Sequence, residues 1–310
     1  MLRAGLAGAV LDVAGQPCAL VTGSGGPVPP ELAAVVGLVD LPVRIGDQQI
    51  DARSAEELRQ FYARLRRGET PETSTSSPGE FLDAFRRCRA EQIICLTIPA
   101  RWSGMDDSAR LAARMLAEEE GRKRVTVVDT GTAAAGLGLI TRVAAQLCSG
   151  GAELPEVLQR TERAIREVRM FGALETLEFV ARSGRINSLL AGISDSLHVR
   201  PVFRLSGGQT GRVALARTPS GVLSALEKTA RDLPGKLWIL VFHADNEGLA
   251  TQLEARLCEA SDVARCEIIA LDPIIGTHTG PGAVGYAALP LLAGEIGAAR
   301  SSGEGVEPDR

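Results

Sequence analysis

I-I-C-L-T-I at residues 93–98 and V-T-V-V-D at residues 125–129 are the two stretches that decide the fold. Both are short, apolar and rich in residues that favour strands, and a helical pattern of more than two turns follows each of them. This alternation of strand and helix predicts a parallel sheet that is covered by helices on both faces.

The pattern changes after a connecting helix at 154–168. Residues 199–205 and 211–216 read as strands with Gly207 and Gly208 between them, which predicts a hairpin or a pair of neighbouring strands. Strand–helix alternation resumes at 237–243. These observations predict a second α/β region in which the strands run in mixed directions.

The fold class that we predict is therefore α/β, with two α/β domains and a ligand tunnel between them. Residues 17–170 would form an N-terminal domain with a parallel sheet flanked by helices, and residues 171–297 a C-terminal domain with a mixed sheet and helices. Residues 298–310 are polar and Gly-rich, and they are predicted to be a disordered tail.

Composition limits the classes of function. The chain has 310 residues and a net charge of −4, so a nucleic-acid partner, which favours a basic face, is not expected. Three histidines and six cysteines without a C-x-x-C pair argue against a metal site, and no cofactor is predicted. The apolar N-terminal stretch is interrupted by Asp12, and no run reaches the roughly 18 residues of a membrane span, so we expect a cytoplasmic protein.

Hydroxyl-bearing residues precede a strong helix-start signal in P-E-T-S-T-S-S-P-G-E-F at 71–81. Ser77 can cap the helix, with Pro78 at its first position and Glu80 as the reciprocal cap. Thr73 and Ser74 then lie just before a helix N-terminus, where hydroxyls and free N–H groups suit a carboxylate or a phosphate. The alternative is a loop that only caps its own helix.

One of the three histidines, His278, lies in G-T-H-T-G-P-G-A-V-G at 276–285. We interpret this segment as a glycine-rich turn that follows an apolar strand and leads into a helix whose free N–H groups favour an anion. Residues 280–285 formally match the dinucleotide pattern G-x-G-x-x-G, but no second strand and no ribose-binding acid follow. A structural turn is the other alternative.

Together, these two segments resemble the T-S-x-x-S-P-G-E-F and G-x-H-x-G-P-G-x-x-G motifs of the DegV family. Further similar elements follow the family's order over residues 18–295: L-P-V-R-I-G-D-Q-Q-I-D at 41–51, V-D-T with G-L-G at 128–138, L-E-F-V-A-R-S-G-R-I at 177–186, and V-R-P-V at 199–202.

The resemblance implies a bacterial protein that buries a long-chain fatty acid between two domains and has no catalytic activity of its own. It implies a separate fatty acid kinase as a partner that receives the acyl carboxylate, and we also expect transient contact with a membrane surface. The predicted carboxylate ligands are Thr73, Ser74, His278 and Ser103. The predicted supporting residues are Arg185, Thr277, Gly280 and Ser24.

The chain also departs from the family pattern. Pro99 and Ala100 stand where the family has two serines, Gly23 replaces an acid, and the bulky Trp102 is expected to narrow the entrance. These departures lie near the predicted head group or its exposed rim, from which a kinase would take the carboxylate.

Two other functions stay open at this point. A hydrolase would use Ser74 as nucleophile, His278 as base and Asp272 to orient the imidazole, although no G-x-S-x-G motif is present. A binding protein for another small anionic metabolite would use the same loops around a polar cleft, and a protein without a ligand would serve only as an interaction partner.

Overall fold

The computed structural model describes residues 11, 13, 15–52, 54–185 and 199–292. Its strands are β1 (Cys18–Gly23), β2 (Val36–Val39), β3 (Val43–Ile45), β4 (Gln48–Ile50), β5 (Pro71–Thr73), β6 (Gln92–Thr97), β7 (Val125–Asp129), β8 (Arg169–Ala173), β9 (Arg200–Ser206), β10 (Gln209–Ala216), β11 (Leu237–His243), β12 (Val263–Ala270) and β13 (Val284–Pro290). Its helices are α1 (Ala55–Arg66), α2 (Pro78–Arg87), α3 (Met105–Glu120), α4 (Ala134–Ser149), α5 (Leu154–Glu167), α6 (Glu178–Ser183), α7 (Pro219–Arg231), α8 (Glu247–Ala260) and α9 (Pro273–Thr279).

A four-stranded parallel sheet has the order β2-β1-β6-β7. Leu20 of β1 pairs with Val36 on one side and with Ile94 on the other. All six residues of β1 are buried, as expected for a parallel strand covered on both faces. The predicted parallel sheet is confirmed.

A six-stranded sheet follows, in the order β10-β9-β8-β13-β11-β12. It is mixed, because β11 and β12 run parallel while the other neighbours are antiparallel. The predicted hairpin is β9–β10, and its two turn residues Gly207 and Gly208 have φ of +55° and +70°. The fold class is confirmed, whereas the domain boundary at residue 170, within β8, stays a prediction.

A small antiparallel sheet, β4-β3-β5, holds the start of the first candidate loop in place. Val43 of β3 pairs with Thr73 at the end of β5. The chain then passes to α2, which Ser77 and Glu80 cap reciprocally, as the sequence predicts. Thr73 is therefore fixed by a strand on one side and by a short loop to a capped helix on the other.

Helix α4 joins the two large sheets, because it contacts β1 as well as β11 and β13. Nearly all of its residues are buried, and one hydrophobic core includes side chains from both sheets, such as Leu20 and Leu240. Within the described ranges, no helix combines the length and the apolar character that a membrane span requires. The predicted tail at 298–310 lies outside the described residues.

Candidate functional site

The structure around His278 differs from the sequence prediction in the order of its elements, because a helix precedes the glycine-rich residues and a strand follows them. His278 lies in the last turn of α9, and the glycine-rich residues then lead into strand β13 rather than into a helix. The helix start that was predicted after His278 is therefore wrong. The physical reason is that Gly280 and Gly282 have φ of +73° and +85° and end the helix, while 284–290 pair with strands on both sides.

Two contacts fix α9 against the first half of the chain. Asp272 caps the helix by accepting the N–H of Ile275 at 3.0 Å, and its other oxygen accepts the N–H of Gly25 at 3.1 Å. The hydroxyl of Tyr62 donates to the carbonyl of Leu271 at 2.8 Å. One buried carboxylate thus holds both the start of α9 and the loop after β1.

Thr73 and His278 are brought together from positions 205 residues apart. Thr73 Oγ1 lies 3.3 Å from His278 Nε2, a contact between the end of β5 and the end of α9. The two segments that the sequence singled out therefore meet in space, and a hydroxyl and an imidazole point at each other there.

The imidazole of His278 is uncharged at neutral pH. Burial, reinforced by the positive charge of Arg185, lowers its pKa from 6.5 to about 4. Its Nδ1 is inaccessible to solvent and has no hydrogen-bond partner among the described residues. A buried polar atom without a partner is uncommon in folded proteins, which distinguishes His278 from an ordinary core residue.

A second hydroxyl pair lies on the same loops. Thr75 Oγ1 is 3.2 Å from Ser103 Oγ, which also accepts the N–H of Met105 at the start of α3. Arg185 lies alongside, since its Nε donates to the carbonyl of Trp102 at 3.3 Å. The predicted ligand Ser103, which is half-buried, and the predicted supporting residue Arg185, which is exposed, thus lie on one rim.

Ser74, the remaining predicted ligand, is exposed, and its backbone N–H donates to the carbonyl of Pro42 at 3.1 Å. The contact to the imidazole is made by its neighbour Thr73. Thr75 was not among the predicted ligands, although its position two residues after Thr73 was a signal that both could face the same side.

Three of the supporting residues have structural roles in this geometry. Ser24 is fully buried and accepts the N–H of Leu41 at 2.7 Å. Thr277 donates to the carbonyl of Pro273 in its own helix at 2.8 Å. A Cβ on Gly280 would lie 2.2 Å from the ring of Phe179, so glycine is needed there for close packing.

A cavity of about 570 Å³ lies between the two halves of the chain. Its wall includes Gly25, Tyr62, Arg142, Leu271 and Ile275, but none of the predicted carboxylate ligands. The ligand tunnel that was predicted between the domains stays a prediction. No cluster of His, Cys, Asp and Glu suited to a metal ion occurs in the part of the chain that the structure describes.

Comparison with known proteins identifies the class of protein that this fold and site define. A family model described as "Uncharacterised protein, DegV family" matches residues 17–291. A DegV domain-containing protein of Deinococcus radiodurans is 30% identical over 286 residues, which cover 89% of this chain and 99% of that protein. A fatty acid-binding protein of Thermotoga maritima is 28% identical over 250 residues, which cover 78% of this chain and 85% of that protein.

A solved structure described as "Fatty Acid Binding of a DegV family Protein from Thermus thermophilus" has the same fold. It is 29% identical, its TM-score is 0.78, and the match covers 89% of this chain and all of that one (100%). The chain belongs to the DegV family.

Proposed function

We propose that this protein binds a long-chain fatty acid without chemically changing it, with the carboxylate at the Thr73–His278 pair. The contact between Thr73 Oγ1 and His278 Nε2 is the observation that carries the proposal. A hydroxyl and an imidazole N–H can each donate to a carboxylate oxygen, and hydrogen bonds to a charged acceptor are stronger than neutral ones. The relatives from Thermotoga and Thermus that are described as fatty-acid binders support this ligand class.

The charges around the pair suit an anion. Arg185 is close enough to lower the pKa of His278, so its positive field also acts on a carboxylate at that place. Because His278 is itself uncharged at neutral pH, Arg185 would provide the positive charge, and the pair would provide the directed hydrogen bonds.

Aliphatic side chains surround Gly25 in the loop after β1 and suit an acyl chain. A Cβ built on Gly25 would lie 3.5 to 3.7 Å from Ile98, Ile274 and Ile275, which come from both halves of the chain. Burying apolar carbon there stabilises the complex by about 0.8 kcal/mol per CH₂.

The exposed position of the rim supports presentation of the carboxylate to a second protein. Ser74, Thr75 and Arg185 are exposed, so a carboxylate beside them would be reachable from solvent. We propose that a separate fatty acid kinase is the partner that reaches it. The substitution of the family's two serines by Pro99 and Ala100 lies close to this surface and makes the kinase step the one to test separately.

The geometry does not favour the hydrolase alternative. His278 Nε2 contacts Thr73 rather than Ser74, and Nδ1 has no partner, so Asp272 does not orient the imidazole. Asp272 instead uses its oxygens on the N–H groups of Ile275 and Gly25. The three residues of the suggested triad do not form its chain of hydrogen bonds.

A series of saturated fatty acids of increasing length tests the proposal by isothermal titration calorimetry on delipidated protein. Affinity is expected to rise steeply from butyrate to palmitate, by about fourfold per added CH₂ until the chain is fully buried. Equal affinity for butyrate and palmitate would contradict an acyl site and favour a site for small anionic metabolites.

A further inference from the structure

The segment V-D-T at 128–130 lies outside the proposed fatty-acid site, although it is one of the segments that resemble DegV motifs. It ends strand β7 beside the end of β6, where Asp129 pairs with Thr97. The hydroxyl of Thr130 donates to the carbonyl of Thr97 at 2.8 Å. The segment therefore holds β6 at the point where the chain leaves the parallel sheet.

The loop that follows β6, residues 99–103, is held by Asp129, and we call it the rim loop. One carboxylate oxygen of Asp129 accepts the N–H of Ala100 at 3.1 Å, and the other accepts the N–H of Gly131 at 2.8 Å. The first contact is made to the backbone, so the substitution of a family serine by Ala100 does not remove it. One exposed carboxylate thus links the loops after two neighbouring parallel strands.

The tip of the β9–β10 hairpin packs against the same loops. The N–H of Gly208 donates to the carbonyl of Gly131 at 2.6 Å. A Cβ on Gly208 would lie 3.4 Å from Pro99 and 3.7 Å from Arg101, and a Cβ on Gly131 would lie 3.1 Å from the backbone of Gly207. The rim loop therefore lies between the parallel sheet and a hairpin from the C-terminal half of the chain.

The rim loop carries groups of the candidate site. Ser103 Oγ lies 3.2 Å from Thr75 Oγ1, and the carbonyl of Trp102 accepts the Nε N–H of Arg185 at 3.3 Å. The loop is tightly turned, since the N–H of Trp102 donates to the carbonyl of Pro99 at 2.8 Å. A shift within this turn would therefore reach both the hydroxyl and the partner of the guanidinium.

We infer that Asp129 is a positioning residue of the fatty-acid site, which acts through the rim loop and not by contact with the ligand. It fixes this loop so that Ser103 and the carbonyl that orients Arg185 stay close to the Thr73–His278 pair. The inference rests on the proposed function, because it assigns to Asp129 a part in binding the carboxylate.

Asp129→Asn tests this role. The amide has one acceptor oxygen and an NH₂ donor, so it can accept only one of the two backbone N–H groups and faces the other with a donor. Asp107→Asn is the matched control, because this exposed acid lies in the first turn of α3, just after the rim loop, and holds neither of these N–H groups.

Trp102 reports the position of the rim loop by its fluorescence. The chain has two tryptophans, and Trp238→Phe removes the other one, which is only 4% exposed. In this background and without ligand, acrylamide quenching of Trp102 is expected to rise about twofold in Asp129→Asn, because the loop opens locally, and to stay unchanged in Asp107→Asn. Equal quenching of the two variants would overturn the inference.

Palmitate binding provides the second measurement, by calorimetry on delipidated protein. Asp129→Asn is expected to weaken palmitate binding about fivefold, on the scale of one weakened hydrogen bond to a charged group. The ratio of the affinities for palmitate and laurate should stay that of the wild type, because the acyl chain is not affected. A role in general stability would loosen the acyl contacts as well and change this ratio. A changed ratio, or an unchanged palmitate affinity, would overturn the inference.

Gly131→Ala tests the rim loop from the side of the hairpin, and it decides the matter if urea unfolding shows that Asp129→Asn does not fold. Its Cβ would meet the backbone of Gly207, so it should displace the hairpin tip and also raise the quenching of Trp102. Quenching equal to that of the wild type would contradict the inference.

Failure of the proposed function and failure of this inference give different results. Absence of palmitate binding to the wild-type protein would reject the proposed function. Equal palmitate binding by the wild type and by Asp129→Asn would leave that function in place and reject the role of Asp129.

Discussion

His278 combines burial, an uncharged imidazole and an unpartnered nitrogen in one side chain. Its contact partner Thr73 comes from the end of β5 in the small antiparallel sheet β4-β3-β5. The candidate site therefore depends on the side chains of Thr73 and His278, and single substitutions can test the contribution of each.

Thr73→Val and His278→Gln are each expected to weaken palmitate binding by about 1–3 kcal/mol, because each removes one hydrogen bond to a charged acceptor. Calorimetry on delipidated variants measures the change. Thr251→Val is the matched control, since this hydroxyl donates to the carbonyl of Glu247 within its own helix. Wild-type affinity in both site variants would show that the carboxylate binds elsewhere.

The pKa of His278 also predicts how stability changes with pH. The folded-state pKa of about 4 is below the unfolded value of 6.5, so the unfolded state binds more protons between these values. The contribution is fully present above pH 6.5 and is lost as pH falls towards 4, by about 3 kcal/mol in total.

Urea unfolding at a series of pH values measures this loss, and His278→Gln should flatten the acid side of the stability profile. His243→Gln provides a comparison, because burial also lowers the pKa of this second histidine and shifts stability in the same direction. An unchanged profile in His278→Gln would show that the imidazole is not buried in its neutral form.

Helix α9 is the element that positions the site. Asp272 caps it and also binds the N–H of Gly25, so the same carboxylate links the helix to the loop after β1. Loss of this side chain affects both the helix start and its position relative to the parallel sheet.

Asp272→Ala is expected to destabilise the protein by about 1–3 kcal/mol and to weaken palmitate binding as well. Ser54→Ala removes a comparable but exposed cap at the start of α1, a helix that supplies none of the predicted ligands, so it should cost about 1 kcal/mol and leave affinity unchanged. Chemical denaturation and calorimetry on both variants measure these effects. Equal palmitate affinity in the two variants would show that α9 does not position the ligand.

The elements differ in how well the sequence predicts them. The largely apolar strands β6 and β7 and the capped start of α2 follow from local signals, namely strand-favouring runs and the Ser77–Glu80 capping box. Such signals do not show whether a helix precedes or follows the glycine-rich segment at 276–285. A short helix that ends at a glycine contains the same residue types as a glycine-rich turn that leads into a helix. Only the pairing of β13 with β8 and β11 distinguishes the two, because it shows that a strand follows the glycines.

The sequence predicts the site only in part, because contacts between residues far apart in the chain leave no local signal. The resemblance to a family indicated Thr73 and His278, which lie 3.3 Å apart in the structure. The buried contact of Arg142 with Glu267 joins residues 125 positions apart without any local motif, so no reading of the sequence could assign it.

In the whole molecule, α4 and α9 connect the parallel sheet to the mixed sheet. Both the candidate site and the cavity lie where the two halves of the chain meet. This is the arrangement in which an acyl chain can be buried while its carboxylate stays near the surface. Relatives of known structure share the fold over almost their full length.

Native mass spectrometry of the protein as purified from a bacterial host tests the central claim most directly, before any ligand is added. We predict an added mass that solvent extraction identifies as a long-chain fatty acid, at close to one molecule per chain, with much lower occupancy in the Thr73→Val/His278→Gln double variant. A protein that carries no lipid, and that takes up neither palmitate nor oleate when either is added, would contradict the account.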